Sequence, residues 1–95
     1  MPEIRFQVQW PDGAQETCYS PSLIVKEYFE VGQEYDLEDF TQRSQEALTI
    51  ASDRVKAKFG YPCGLALGQL DSIIAKAKSY ESTAAQKVQV LKWIE

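Results

Sequence analysis

Asp36–Tyr80, DLEDFTQRSQEALTIASDRVKAKFGYPCGLALGQLDSIIAKAKSY, is the stretch whose reading decides the fold. Leu37, Phe40, Ala47, Leu48, Ala51, Val55 and Phe59 recur at three- and four-residue steps, which draws one apolar stripe along a helix over about 36–60. Asp36 stands where an N-cap belongs, with Glu38 and Asp39 in the first turn and Arg54, Lys56 and Lys58 in the last turns. Both ends therefore suit the helix macrodipole, and Gly60 ends the helix. A second helix over about 62–80 opens at Pro62 and carries Leu67, Leu70, Ile73, Ile74 and Ala77 as its stripe. Gly64 and Gly68 weaken it by up to ~1 kcal/mol each relative to alanine. Close approach to another backbone, within the domain or across a homodimer, is the expected reason for them.

Outward from these helices the periodicity changes. Ile4, Phe6, Val8 and Trp10 alternate with Arg5, Gln7 and Gln9, the pattern of a half-buried strand. Pro11-Asp12-Gly13 follows. Proline presets φ, aspartate tolerates the second turn position, and glycine supplies a left-handed third, which suits a three-residue hairpin loop with a bulge. Gln15–Tyr19 is then the return strand. The bulged loop places Ala14 opposite Trp10 and Cys18 opposite Phe6, on the core face. A two-residue Asp-Gly loop would slip the register by one and turn Cys18 outward. The bulged loop is the better fit. Ser20-Pro21 reads as an N-cap followed by a first helical residue, opening a short helix over about 21–29, with an extended continuation as the alternative. Glu30–Tyr35 reads as a loop. After a polar connection over 81–86, Val88–Ile94 is rich in β formers and reads as a third strand. A helix through Ala84, Ala85, Val88 and Leu91 competes with it. The expected fold is a single α+β domain over 1–95, a small antiparallel sheet with the helices on one face.

Composition narrows the chemistry. The chain has no histidine, which removes Ser-His-Asp and Cys-His catalysis and most zinc sites. A net charge of −4, with arginines and lysines scattered, disfavours nucleic acid. No apolar run approaches the ~20 residues of a membrane span. The opening Met1-Pro2-Glu3-Ile4-Arg5 has no apolar signal-peptide core, so a cytoplasmic protein is expected. Two cysteines are too few for a disulfide scaffold and are expected as free thiols in a reducing compartment.

Cys63 is the sharpest local feature. It stands at a helix start, where free N–H groups and the dipole favour a thiolate, so it is the candidate catalytic or carrier residue. A cysteine packed beneath the loop explains the same position without chemistry. Cys18 and Cys63 form a redox pair if the fold brings their Cα atoms within ~6 Å. Glu34, Asp36, Glu38 and Asp39 invite a divalent cation, but their spacing matches no EF-hand loop, and first-turn roles account for them. Arg5, Tyr19 and Tyr28 with Trp10 are candidates for a small-ligand pocket on the open sheet face, although strand aromatics more often serve packing. Gly60, Gly64 and Gly68, four residues apart, read as helix-packing positions. No cofactor and no metal site is expected.

Three blocks carry a resemblance: Arg5-Phe6-Gln7-Val8-Gln9-Trp10-Pro11-Asp12-Gly13; Cys18-Tyr19-Ser20-Pro21-Ser22-Leu23; and Ala47–Val55 with Phe59-Gly60-Tyr61-Pro62-Cys63. From Pro2 to about Leu70 the chain resembles a family of small bacterial proteins named for a nitrogen-starvation response. They are encoded in gene clusters with a nitrilase, a radical-SAM protein and an acetyltransferase. The resemblance implies a cytoplasmic accessory role in assimilating nitrogen from nitriles or cyanide, with enzymes of the same cluster as protein partners. It supplies no catalytic residue. The leading expectation is a non-enzymatic interaction protein, with a homodimer as the expected state. The alternatives are a thiol-dependent enzyme or carrier using Cys63, and a small-ligand sensor.

Overall fold

Pro11-Asp12-Gly13 closes the hairpin as its residue types require. In the computed structural model, which describes residues 3–61, 63–80 and 86–95, the Trp10 N–H donates to the Ala14 carbonyl and the Gly13 N–H to the Trp10 carbonyl, both at 2.8 Å. Gly13 takes φ +90°, which a side chain would resist. The Asp12 carboxylate accepts the Ala14 N–H at 3.0 Å. Strands β1 (Ile4–Gln9) and β2 (Gln15–Ser20) pair in the bulged-loop register, with Phe6 opposite Cys18, and Cys18 is fully buried.

The next segment departs from expectation. The short helix is a five-residue 3₁₀ helix, Leu23–Glu27, and Ser22 rather than Ser20 caps it, accepting the Ile24 N–H at 3.3 Å. Ser20 finishes β2, and its hydroxyl donates to the Ser22 carbonyl at 2.7 Å. That bond turns the chain through Pro21 and delays the helix, and β-branched Ile24 and Val25 keep it short. Part of the segment expected as a loop is a third strand, β3 (Glu34–Asp36).

Helices α1 (Leu37–Phe59) and α2 (Gly64–Lys78) follow, then β4 (Lys87–Ile94), so the C-terminal segment is a strand. Residues 81–85 of the expected polar connection lie outside the described residues. The four strands are antiparallel in the order β2-β1-β4-β3. A bulge governs the β1–β4 pairing: Val8 faces Val90 but Gln7 faces Lys92, which leaves Leu91 as the extra residue. Strict alternation from Val88 and Val90 would send Lys92 into the core. The bulge substitutes Trp93, whose ring packs on Phe6 at 5.8 Å between centroids. Both helices cover this one face. Phe29 and Phe40 meet at 5.2 Å, and Trp10 meets Phe40 edge-on at 5.5 Å. At the outer edge of β2, the Tyr19 N–H donates to Gln69 Oε1 of α2 at 3.0 Å, which occupies part of an edge otherwise free to pair.

Three helix details differ from expectation. Asp36 occupies the N-cap position but makes no capping bond, because its carboxylate turns to Lys87 on the neighbouring strand. A methyl group built on Gly64 or Gly68 would meet nothing within 4 Å, so neither glycine serves a close approach within the domain. The apolar stripes also end early. Phe40, Ala47, Leu48 and Ala51 are buried, yet Val55 is only half-buried, and Phe59 and Leu67 are exposed. The reason is length: the 23 residues of α1 span about 35 Å, whereas a six-residue strand spans about 20 Å. The last turns of α1 overhang the sheet. Among the described residues no helix is long and apolar enough to cross a membrane.

Candidate functional site

The overhang creates the joint between the two helices. Gly60 closes α1 in the left-handed conformation, φ +87°, its N–H donating to the Lys56 carbonyl at 2.7 Å. Cys63 takes the N-cap position of α2 with extended backbone, its N–H donating to the Ser52 hydroxyl at 3.2 Å. Ser52 lies in the buried part of α1, so this bond ties the start of α2 back to the body of the domain. Around it the surface is apolar: Phe59 is 54% exposed, Tyr61 65% and Leu65 70%. Three large exposed apolar side chains so close in sequence are unusual for a chain whose other large apolar groups are mostly buried. Lys56 and Lys58 flank them, the Lys58 ammonium lying 5.5 Å from the centre of the Phe59 ring.

Both cysteines are free thiols in different surroundings. Cys18 sits in the core, where burial above all, with the Glu16 charge behind it, pushes its thiol up to about 12. It stays protonated at neutral pH. Cys63 is half-buried at the joint, at the N-terminus of a 15-residue helix.

The other sequence-derived candidates separate in the fold. Arg5 and Tyr19 do meet across the open sheet face, the guanidinium 5.4 Å from the ring centre. Burial, then the neighbouring Glu3, raises the Tyr19 phenol, and Cys63 is close enough to add to that effect. Trp10, however, is buried on the opposite face, and Tyr28 packs against the core while its carbonyl accepts from Arg43 at 2.8 Å. No four-residue pocket forms. In the acidic group, Asp36 pairs with Lys87 and Asp39 with Arg43, and no cluster of three or more Cys, Asp or Glu able to hold a metal ion occurs among the described residues. A groove of about 880 Å³ lies between the first turns of α1 and the end of α2, with Leu37, Ile74 and Ala77 among Thr41, Gln42 and Gln45. Its walls come from two helices whose separation no local pattern encodes.

Sequence reasoning missed the exposed trio. Phe59 was expected in the stripe, and Tyr61 and Leu65 were given no role. The available signal was that 61 and 65 carry apolar groups outside both stripes.

The family described as nitrogen starvation-induced protein NitG matches residues 5–93, and the chain belongs to this family. No curated protein and no solved structure matches the chain.

Proposed function

We propose that this protein is a non-enzymatic accessory component of the nitrogen-starvation response. In this reading it works by contact with clustered enzymes that take up nitrogen from nitriles or cyanide in the bacterial cytoplasm. Membership of a nitrogen starvation-induced family supports the setting. The observation that carries the mode of action is the exposed Phe59, Tyr61 and Leu65 with their lysine rim, because apolar side chains left in water beside polar ones are the common make-up of a protein-binding surface. Two free thiols suit a reducing compartment. The test is affinity capture from nitrogen-starved cells with mass spectrometry, using the wild-type chain and Phe59→Ser/Tyr61→Ser/Leu65→Ser. Cluster-encoded enzymes are expected with the first and not the second. Their absence from the wild-type sample would overturn the reading.

One observation favours a second reading. Cys63 is partly exposed at the N-terminus of a 15-residue helix, whereas Cys18 is buried, so it is the residue a thiol-dependent enzyme or carrier would use. A redox pair with Cys18 would further require opening the core around that buried thiol. Alkylation kinetics decide: a Cys63 that reacts no faster than free cysteine at neutral pH removes this alternative.

A further inference from the structure

The two outer strands of the sheet are guarded differently. β3 is three residues long and carries Glu34 and Asp36, so brevity and charge protect its free edge. β2 is six residues long and has no lysine, proline or bulge. Its one charge, Glu16, lies on the helix-covered face and accepts the Trp10 indole N–H at 2.9 Å. The Tyr19 N–H leaves the sheet for Gln69, so the odd-numbered residues of β2 turn their backbone groups outward. Gln15 and Thr17 are exposed, and among the described residues their outward N–H and C=O groups have no partner. Helix α2 lies along this edge. Gln69 sits at Tyr19, and the Tyr80 ring stacks on Trp10 beside the hairpin loop, 6.0 Å between centroids, so α2 runs antiparallel to β2. Ser72, one turn beyond Gln69, and Gly68, one turn before Ser72, are exposed and leave that flank without bulk. A methyl group on Gly68 would meet nothing within 4 Å.

We propose that the chain forms a two-fold homodimer in which β2 pairs antiparallel with β2 of a second copy, joining two four-stranded sheets into one. The axis passes at Thr17. Thr17 then faces Thr17 of the second copy, and Gln15 faces Tyr19, each pair joined through the outward N–H and C=O groups. The strand is complementary to itself in this register. Glu16 faces Cys18 of the second copy, so no like charges meet, and threonine opposite threonine is a favourable pair. On pairing, the Tyr19 N–H exchanges the Gln69 side chain for the Gln15 carbonyl of the second copy. Helix α2 favours a second copy over a foreign extended peptide. Thr17 lies about 7 Å from Tyr19 toward the hairpin, which is about four residues of helix beyond Gln69. The axis therefore passes close to Ser72, and the two α2 helices run antiparallel with the small flank of Gly68 and Ser72 between them. A lone peptide would cover the strand edge and leave that flank open. The contact is made by backbone on β2 and does not depend on the accessory role.

Sedimentation equilibrium on the full chain, from low micromolar to sub-millimolar concentration, tests this. A reversible dimer is expected, since a strand edge and one helical flank per copy make a small contact. Thr17→Pro removes the central donor at a place the monomer tolerates, because that N–H faces solvent at a sheet edge. Thr17→Lys sets two like charges directly across the axis. Each variant, checked for folding by circular dichroism, is expected to weaken self-association about tenfold or more. Crosslinking reads the register in a Cys63→Ser background. Thr17→Cys lies about 5.5 Å from its equivalent between Cα atoms and is joined by a short bifunctional thiol reagent. Gln15→Cys lies about 14 Å from its own equivalent and is not joined. A wild-type chain that stays monomeric throughout overturns the proposal. So does a dimer unmoved by both Thr17 variants, or one in which Gln15→Cys crosslinks as readily as Thr17→Cys. A monomer that instead captures cluster enzymes and loses them in Thr17→Pro assigns the edge to a foreign strand and also overturns it.

Discussion

The two halves of α1 carry the same kind of sequence and meet opposite fates. From Phe40 to Ala51 its apolar positions lie over the sheet and are fully buried, Phe40 touching Trp10 and Phe29. From Val55 onward the same periodicity continues, but the sheet has ended, and Phe59 stands in solvent. An apolar stripe therefore shows which way a helix faces and not whether anything lies beneath it. In this molecule the inner half holds the fold together and the overhanging half is exposed.

The sharpest way to break that contrast is Phe40→Ala, expected to cost about 3–5 kcal/mol in urea unfolding because it opens a cavity among packed aromatic rings. A loss well under 1 kcal/mol would mean the inner half is not core. Next in size is the alkaline behaviour of Cys18. Its thiol is raised from an ordinary 9.0 to about 12 in the fold, so the unfolded chain loses this proton first. Stability from this group is complete below about pH 9 and is lost as pH rises toward 12, by up to roughly 4 kcal/mol on the usual conversion of pKa difference to free energy. Cys18→Ala should unfold with a shallower pH slope across that window. Equal slopes would place the thiol in water rather than in the core.

Gly68→Ala probes the open side of α2. With nothing within 4 Å of the new methyl, it should stabilise the chain by up to about 1 kcal/mol. Destabilisation would show that the position is covered after all. Smallest is Phe59→Ser, expected to change stability by no more than about 0.5 kcal/mol in the monomer, as for other exposed sites. A loss approaching that of Phe40→Ala would erase the distinction between the two halves.

Much of the fold was legible because it rests on local chemistry. Strict alternation marked β1, and Pro11-Asp12-Gly13 set both the loop type and the register that buries Cys18. Gly60 marked the end of α1 through its left-handed backbone. The candidate site was half legible: Cys63 was placed at its helix start, while Phe59 was assigned to the core. Other features answer to partners distant in the chain. β3 is three residues long, too short to show alternation, and exists because Tyr35 can bury its ring while pairing with Val88. Asp36 gave up its capping bond because β4 brought Lys87 beside it.

By itself, then, the sequence determined the class of the domain, the β-hairpin register, two amphipathic helices and their polarity, because spacing, turn residues and end charges act within a few residues. Only the tertiary structure decided the order of the strands, the bulge at Leu91 that exchanges Lys92 for Trp93 in the core, and the exposure of the helical joint. Each of these depends on where a neighbouring element ends, and the length of α1 against the width of the sheet is a comparison that neither segment contains alone.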